Sequence, residues 1–161
     1  MSLPALFGDH FQIAYVVRDT QAAIDVFTRR FGVKQWHVMD MVAVHGEQSA
    51  IRAISLAWSG DVMIELIEPV PGKASIYTDY TPATQDGIRL HHFGFLIPTM
   101  EEFEETVRLL DAAGFPTAAA GQFGDQLHFH YADTTPALGH YYELIHLPPA
   151  GANFFAAVPK N

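Results

Sequence analysis

Apolar and polar positions fall into one pattern, and the chain runs through it twice. FQIAYVV at Phe11–Val17 is apolar on both faces, as a strand covered on both sides requires. Asp19 then offers an N-cap, and Ala23, Ile24, Phe27 and Phe31 recur at helical spacing as a buried stripe. Gly32 stands where a helix C-cap glycine belongs. Three strands are predicted near Gln35–Val44, Ala50–Trp58 and Asp61–Glu68, the last two joined as a hairpin by the tight turn Ser59-Gly60-Asp61. The plan returns at Leu90–Pro98, LHHFGFLIP. There Thr99 and Glu102 form a capping box for a helix with Phe103, Val107 and Leu110 inward, closed by Ala113-Gly114. Strands follow near Phe115–Ala119, Gln126–Ala132 and His140–Leu147, with a Pro/Gly turn over Thr135–Gly139 before the last.

The two halves can be laid on each other. Gln12 on His92, an offset of 80, pairs Ile13 with Phe93, Ala14 with Gly94, Tyr15 with Phe95 and Val16 with Leu96. VMIELIEP around Glu65 matches HYYELIHL around Glu143 at an offset of 78. The fold expected is α+β: two βαβββ modules whose strands curl into an eight-stranded cup within a single domain over residues 1–161. The first module covers 10–69 and the second 90–148. A Pro/Gly-rich linker at 70–89 carries Tyr77 and Tyr80, and a tail at 149–161 carries Phe154 and Phe155.

The repeat concentrates its chemistry at four places. Glu65 and Glu143 each sit inside an apolar strand, where an isolated carboxylate costs several kcal/mol to ionise. One such glutamate reads as an ion pair; two at equivalent places, each matched with Gln12 or His92 on the first strand of its module, argue for a shared cation. Gln12, Glu65, His92 and Glu143 would supply three oxygens and one nitrogen, with two carboxylates to balance a divalent ion. This set suits Zn, Ni, Co, Mn or Fe(II) without choosing among them. Four protein ligands on an ion that takes five or six leave room for water or substrate oxygens.

Composition narrows the class. Apolar residues make up 49% and charged residues 17% of the 161, as in folded globular proteins. A net charge of −9 speaks against nucleic acid and against an anionic membrane surface as partners. With no cysteine, thiolate sites and disulfides are out. MSLPALFGDH has neither basic residues nor a long apolar core, so it does not read as a signal peptide, and a cytoplasmic protein is expected.

The motifs FQIAYVVRDTQAAIDVF, VMIELIEP, LHHFGFLIP and HYYELIHL resemble the vicinal oxygen chelate superfamily, which includes glyoxalase I, methylmalonyl-CoA epimerase, extradiol dioxygenases and bleomycin-resistance proteins. The likeness covers nearly all of residues 10–148. It implies paired βαβββ modules with metal ligands on the first and last strand of each, which map onto Gln12, Glu65, His92 and Glu143. That Gln/Glu/His/Glu set is similar to some glyoxalase I enzymes, whereas the epimerases often carry His at the first position.

The activity implied is that of a metal-dependent lyase or isomerase that moves a proton next to a carbonyl, with Glu143 or Glu65 as base. The alternatives are a sequestering protein of the resistance type and an iron-dependent dioxygenase. For substrate contacts His128 and His130 are expected to look into the cup, with Trp58, Phe123 and Trp36 as candidate apolar walls. Glu47 and His10 are minor candidates. His91 should face the other side of its strand as a packed or hydrogen-bonded histidine. The partners expected are a small-molecule substrate and, through the aromatic tail, a second copy in a homodimer.

Overall fold

The computed structural model describes Leu3 and residues 5–161, the side chain of Phe7 excepted. The chain divides into two units. The first comprises Gln12–His91 and Ala157–Asn161; the second comprises His92–Ala156 and the start of the chain up to Phe11.

In the first unit, β1 (Gln12–Val17) runs into α1 (Thr20–Val26). Asp19 caps that helix, its carboxylate accepting from the Ala22 backbone N–H, and Glu68 takes the Thr20 N–H at 2.9 Å. The last turn, Phe27–Phe31, widens to π geometry before Gly32 at φ 75°. The added residue rotates Phe31 out of the stripe assigned to it; it is 65% exposed, while Phe27 stays buried. Then come β2 (His37–Asp40), α2 (Met41–His45), β3 (Ile51–Ser59) and β4 (Val62–Pro69). The strand expected over Gln35–Val44 is therefore cut short. The Asp40 carboxylate accepts from the Val42 and Ala43 N–H groups and turns the chain into a helical turn. The strands lie in the order β2-β3-β4-β1, antiparallel except for the parallel pair β1–β4. On the helix side Val17, Ala23, Phe27, Val33, Ala57 and Leu66 form the core, joined by Trp36, which packs edge-on to Phe27.

The second unit repeats this plan with β5 (Ile88–Leu96), α3 (Met100–Ala112), β6 (Thr117–Phe123), β7 (Leu127–Ala132) and β8 (Tyr141–His146), in the order β5-β8-β7-β6. Thr99 caps α3 through the Glu102 N–H, as the capping box requires. β6 begins later than expected. The Phe115 N–H still bonds the Leu110 carbonyl at the helix end, and its ring joins the core below α3. The Pro/Gly turn before β8 is a single helical turn, α4 (Thr135–Leu138), ended by Gly139 at φ 78°. Phe95, Ile97, Phe103, Leu110, Ala132, Tyr142 and Leu144 make the core between α3 and the sheet.

The Phe11 N–H bonds the Gly94 carbonyl at 3.0 Å, and His10 stacks on Phe93. In the tail, Phe155 packs on Phe11 and Phe154 on Phe123, both within the second unit. Gly151 lets the tail come this close, because a Cβ there would overlap the Gln126 carbonyl. Asn161 returns to the first unit, where its side chain accepts from the Lys34 and Gln35 N–H groups. Among the described residues, no helix is long and apolar enough to cross a membrane.

His130 belongs to this helix-side packing. It is buried beside Thr117, with Asp111 of α3 near enough to act on its charge. Burial lowers its pKa below the ordinary imidazole value, and Asp111 offsets only part of that. Below about pH 6.5 an unfolded chain therefore takes up a proton that the folded one refuses. Stability is full above that value and falls as pH drops toward the lowered folded pKa. Urea unfolding of chelator-treated protein should show a smaller loss between pH 7 and pH 5 for His130→Gln than for the wild type. Parallel pH profiles would rule out His130 as a contributor.

Candidate metal centre

Strand register decides which side chains share a face, because directly opposed residues point the same way and neighbours alternate. In the first unit Gln12 lies opposite Met63 and Ala14 opposite Glu65, so Gln12 and Glu65 are on one face of the parallel pair β1–β4. This is the face away from α1, since Val17 and Leu66 of the opposite phase line the helix-side core. Around the two polar groups the face is apolar, with Ala14, Val16, Leu56, Met63 and Ile67 all buried. Gln12 is 2% exposed and Glu65 8%.

The second unit builds the same thing. His92 lies opposite Tyr141 and Gly94 opposite Glu143, again on a parallel pair, β5–β8. His92 has no exposure and Glu143 7%, and His92 Nε2 is 3.0 Å from Glu143 Oε2. Tyr131 meets the His92 ring edge to face with centroids 5.0 Å apart.

The two arrangements agree residue for residue. In each, the glutamate stands opposite the residue two positions beyond the first ligand: Ala14 after Gln12, Gly94 after His92. The repeat seen in the sequence is therefore a repeat of side-chain placement. Glu65 in the first unit and His92 and Glu143 in the second are all buried, and each is of a metal-ligating residue type. The fourth residue fits a cation as well. Gln12 Oε1 is buried and accepts no hydrogen bond from the described residues, a state that costs about 1–3 kcal/mol unless a positive partner meets it.

The other candidates divide by face. Trp58 lies opposite Met63, so it shares the face of Gln12 and Glu65, half-buried at the end of its strand. Phe123 lies opposite Leu127 and shares the face of His92 and Glu143. His128 and His130 do not. They stand opposite His146 and Leu144, in the phase of the helix-side core, so the expectation that they look toward the metal is corrected. His128 instead faces the ring of His146, whose Nδ1 lies 3.0 Å from the Ile97 carbonyl. The residues that alternate with them, Phe129 and Tyr131, take the metal-side positions, and with Tyr141 they are the site residues that sequence reasoning missed. The alternation in LHFHYA was visible, but its phase relative to Glu143 depends on the length of the β7–β8 connection, which holds a helical turn.

Glu47 is exposed in the turn behind α2, where its backbone carbonyl accepts from Lys73 Nζ. Trp36 is core, with its indole N–H on the Val33 carbonyl. His91 is fully buried; its Nε2 lies 3.0 Å from the Ile76 carbonyl, between the rings of Tyr77 and Tyr80. The linker tyrosines thus pack on His91.

Comparison with solved structures finds the same fold at low identity. A hypothetical protein of Bacillus halodurans C-125 is 15% identical, with 86% of this chain and 94% of that one covered at a TM-score of 0.65. A substituted form of Streptomyces coelicolor methylmalonyl-CoA epimerase, in complex with 2-nitronate-propionyl-CoA, is 13% identical over 88% and 96%, TM-score 0.62. The methylmalonyl-CoA epimerase of Mycobacterium tuberculosis is 17% identical over 98% and 97%, TM-score 0.61. No curated protein sequence matches this one. Residues 11–131 match the profile of the Glyoxalase/Bleomycin resistance protein/Dioxygenase superfamily, most of the chain and both strands that carry Gln12 and Glu65, as well as the one that carries His92. With an α+β glyoxalase-like fold of eight strands and a doubled ligand arrangement, the chain belongs to that superfamily.

Proposed function

We propose that the chain is a metal-dependent isomerase or lyase that moves a proton on a carbon next to a carbonyl. Gln12, Glu65, His92 and Glu143 would together hold one divalent ion. The observation that carries this reading is the doubled placement of a buried polar group two residues short of the register partner of a buried glutamate. A fold alone has no use for four polar groups on otherwise apolar faces; a packed apolar set would cost less. The epimerases among the structural neighbours, one of them bound to methylmalonyl-CoA and NH4+, give the reaction class as an analogy.

The ion, when bound, supplies Lewis acidity to the substrate oxygen that gains negative charge as the neighbouring proton leaves. The chain does the rest. Glu143 or Glu65 takes the proton on a carboxylate oxygen and returns it, and His92, whose Nε2 lies 3.0 Å from Glu143 Oε2, would hold the ion beside that carboxylate. Apolar neighbours such as Leu56 and Met63 keep water from the carboxylate of Glu65.

The cytoplasmic homodimer expected from the sequence is retained only as part of this reading. Phe154 and Phe155, the residues expected to cover the partner, are packed within their own unit.

Elemental analysis of purified protein should find one divalent metal per chain, retained on dialysis at pH 8. It should be lost as acid protonates the imidazole and then the carboxylates. His92→Ala should lose the metal and keep its far-ultraviolet spectrum, because neither helix-side core includes His92. Stoichiometric metal in that variant would refute its role as a ligand.

Solvent deuterium exchange at the α-carbon of a bound hydroxyketone separates the two glutamates. Replacing the base, Glu143→Gln or Glu65→Gln, should cut exchange by about 10²-fold or more. The other replacement should act mainly through metal affinity and be restored by added metal. Exchange unchanged in both variants would show that neither glutamate is the base.

A further inference from the structure

The face of the second unit that carries His92 and Glu143 continues as a row of aromatic rings. Tyr131 lies against His92, Phe129 is 6.0 Å from Tyr131 between centroids, and Phe123 is 5.9 Å from Phe129. Tyr141 flanks the row at 6.4 Å from Tyr131, and Phe154 of the tail closes its far end at 6.1 Å from Phe123. Tyr131 is buried, whereas Tyr141, Phe129, Phe123 and Phe154 are each half-exposed. Rings that are left part-open beside a polar pair offer stacking surface to something other than the protein.

The row has a dedicated seat. Gly121 stands opposite Phe129, and a Cβ there would lie 2.8 Å from Cζ of the Phe129 ring. Glycine at this place lets the ring lie over the strand; a side chain would push it off. Gly121 is exposed and is not among the glycines of positive φ, so neither core packing nor a turn demands it.

The second unit also lacks cations. Between its two stretches it has a single lysine or arginine, Arg108, on α3, and that guanidinium is held by Glu105 at 2.6 Å; Arg89, on the part of β5 that precedes the unit, lies over the Tyr80 ring. His128, His130 and His146 are in the opposite strand phase from Glu143. Beyond the ion proposed at His92 and Glu143, a phosphate, a carboxylate or the nucleotide end of a coenzyme A thioester would meet no lysine or arginine of this unit along the row. It would also meet the field of a chain with net charge −9.

We propose that this aromatic row is the substrate wall and that the substrate is an uncharged aromatic ketone or hydroxyketone, with Phe129 and Gly121 as specificity-determining residues. The inference rests on the reading of His92 and Glu143 as the reacting end of the same face. It sets this chain apart from the structural neighbours whose complexes hold coenzyme A derivatives. An aryl group stacked on Phe129 would have its carbonyl directed past Tyr131 toward His92 and Glu143.

Isothermal titration with benzoin, an uncharged aromatic hydroxyketone, and with propionyl-CoA tests this on the purified chain, with metal content measured on the same samples. Benzoin should bind, and propionyl-CoA should bind at least about tenfold more weakly or not at all. Phe129→Ala and Gly121→Val should each weaken benzoin by about tenfold, as loss of a ring contact with its buried area does, while leaving metal content unchanged. Phe129→Leu, which keeps the bulk without the ring, serves should Phe129→Ala melt early, and it should also weaken benzoin. Tighter binding of propionyl-CoA than of benzoin, or benzoin binding indifferent to Phe129 and Gly121, would overturn the inference. Benzoin binding that depends on Phe129 in a chain without metal would support the wall and refute the metal reading. Stoichiometric metal with no benzoin binding would do the reverse.

Discussion

Everything near the site depends on burying ionisable and amide groups on apolar strand faces. A carboxylate placed as Glu143 is, with 7% exposure between apolar strands, is stable only with a partner, and His92 Nε2 at 3.0 Å is part of one. The parallel pairing of β5 with β8, and of β1 with β4, sets that geometry. A parallel pair brings two strands of one module side by side with the helix crossing over one face. The face left uncovered by helix is where the ligands project. The helix-side cores include none of Gln12, Glu65, His92 and Glu143, so that packing does not call for these four residues.

Much of this is legible in the sequence, for a physical reason. A module used twice doubles every signal, so a weak cue such as Gln12 gains weight from His92 at the matching place. Caps and turns are legible where one side chain decides them: Asp19 and Thr99 at helix starts, Gly60 in the β3–β4 hairpin. Sequence and structure part where geometry depends on a length that no single residue signals. The π turn at Phe27–Phe31 moves Phe31 to the surface, Asp40 stops β2 early, and the helical turn α4 sets the phase of β7 opposite to expectation. That last slip exchanges His128 and His130 for Phe129 and Tyr131 as the site-facing pair, since a shift of one residue moves every side chain to the other face.

The exchange changes the chemistry on offer. Histidines beside the ligands would have suggested a second acid/base group and an affinity for anions. Aromatic rings suggest stacking and exclusion of water. The one arginine of that unit is tied to Glu105, and its histidines on β7 and at the end of β8 lie in the helix-side phase. A shared fold does not assign a substrate, so the reading of substrate rests on these side chains.

The most direct test of the central claim is anomalous diffraction from crystals grown with a divalent transition metal. The account predicts one anomalous peak per chain, about 2.0–2.2 Å from His92 Nε2 and within bonding distance of Gln12 Oε1 and of a carboxylate oxygen from each of Glu65 and Glu143. A metal-saturated crystal with no peak at these four residues, or with its peak elsewhere, would contradict it.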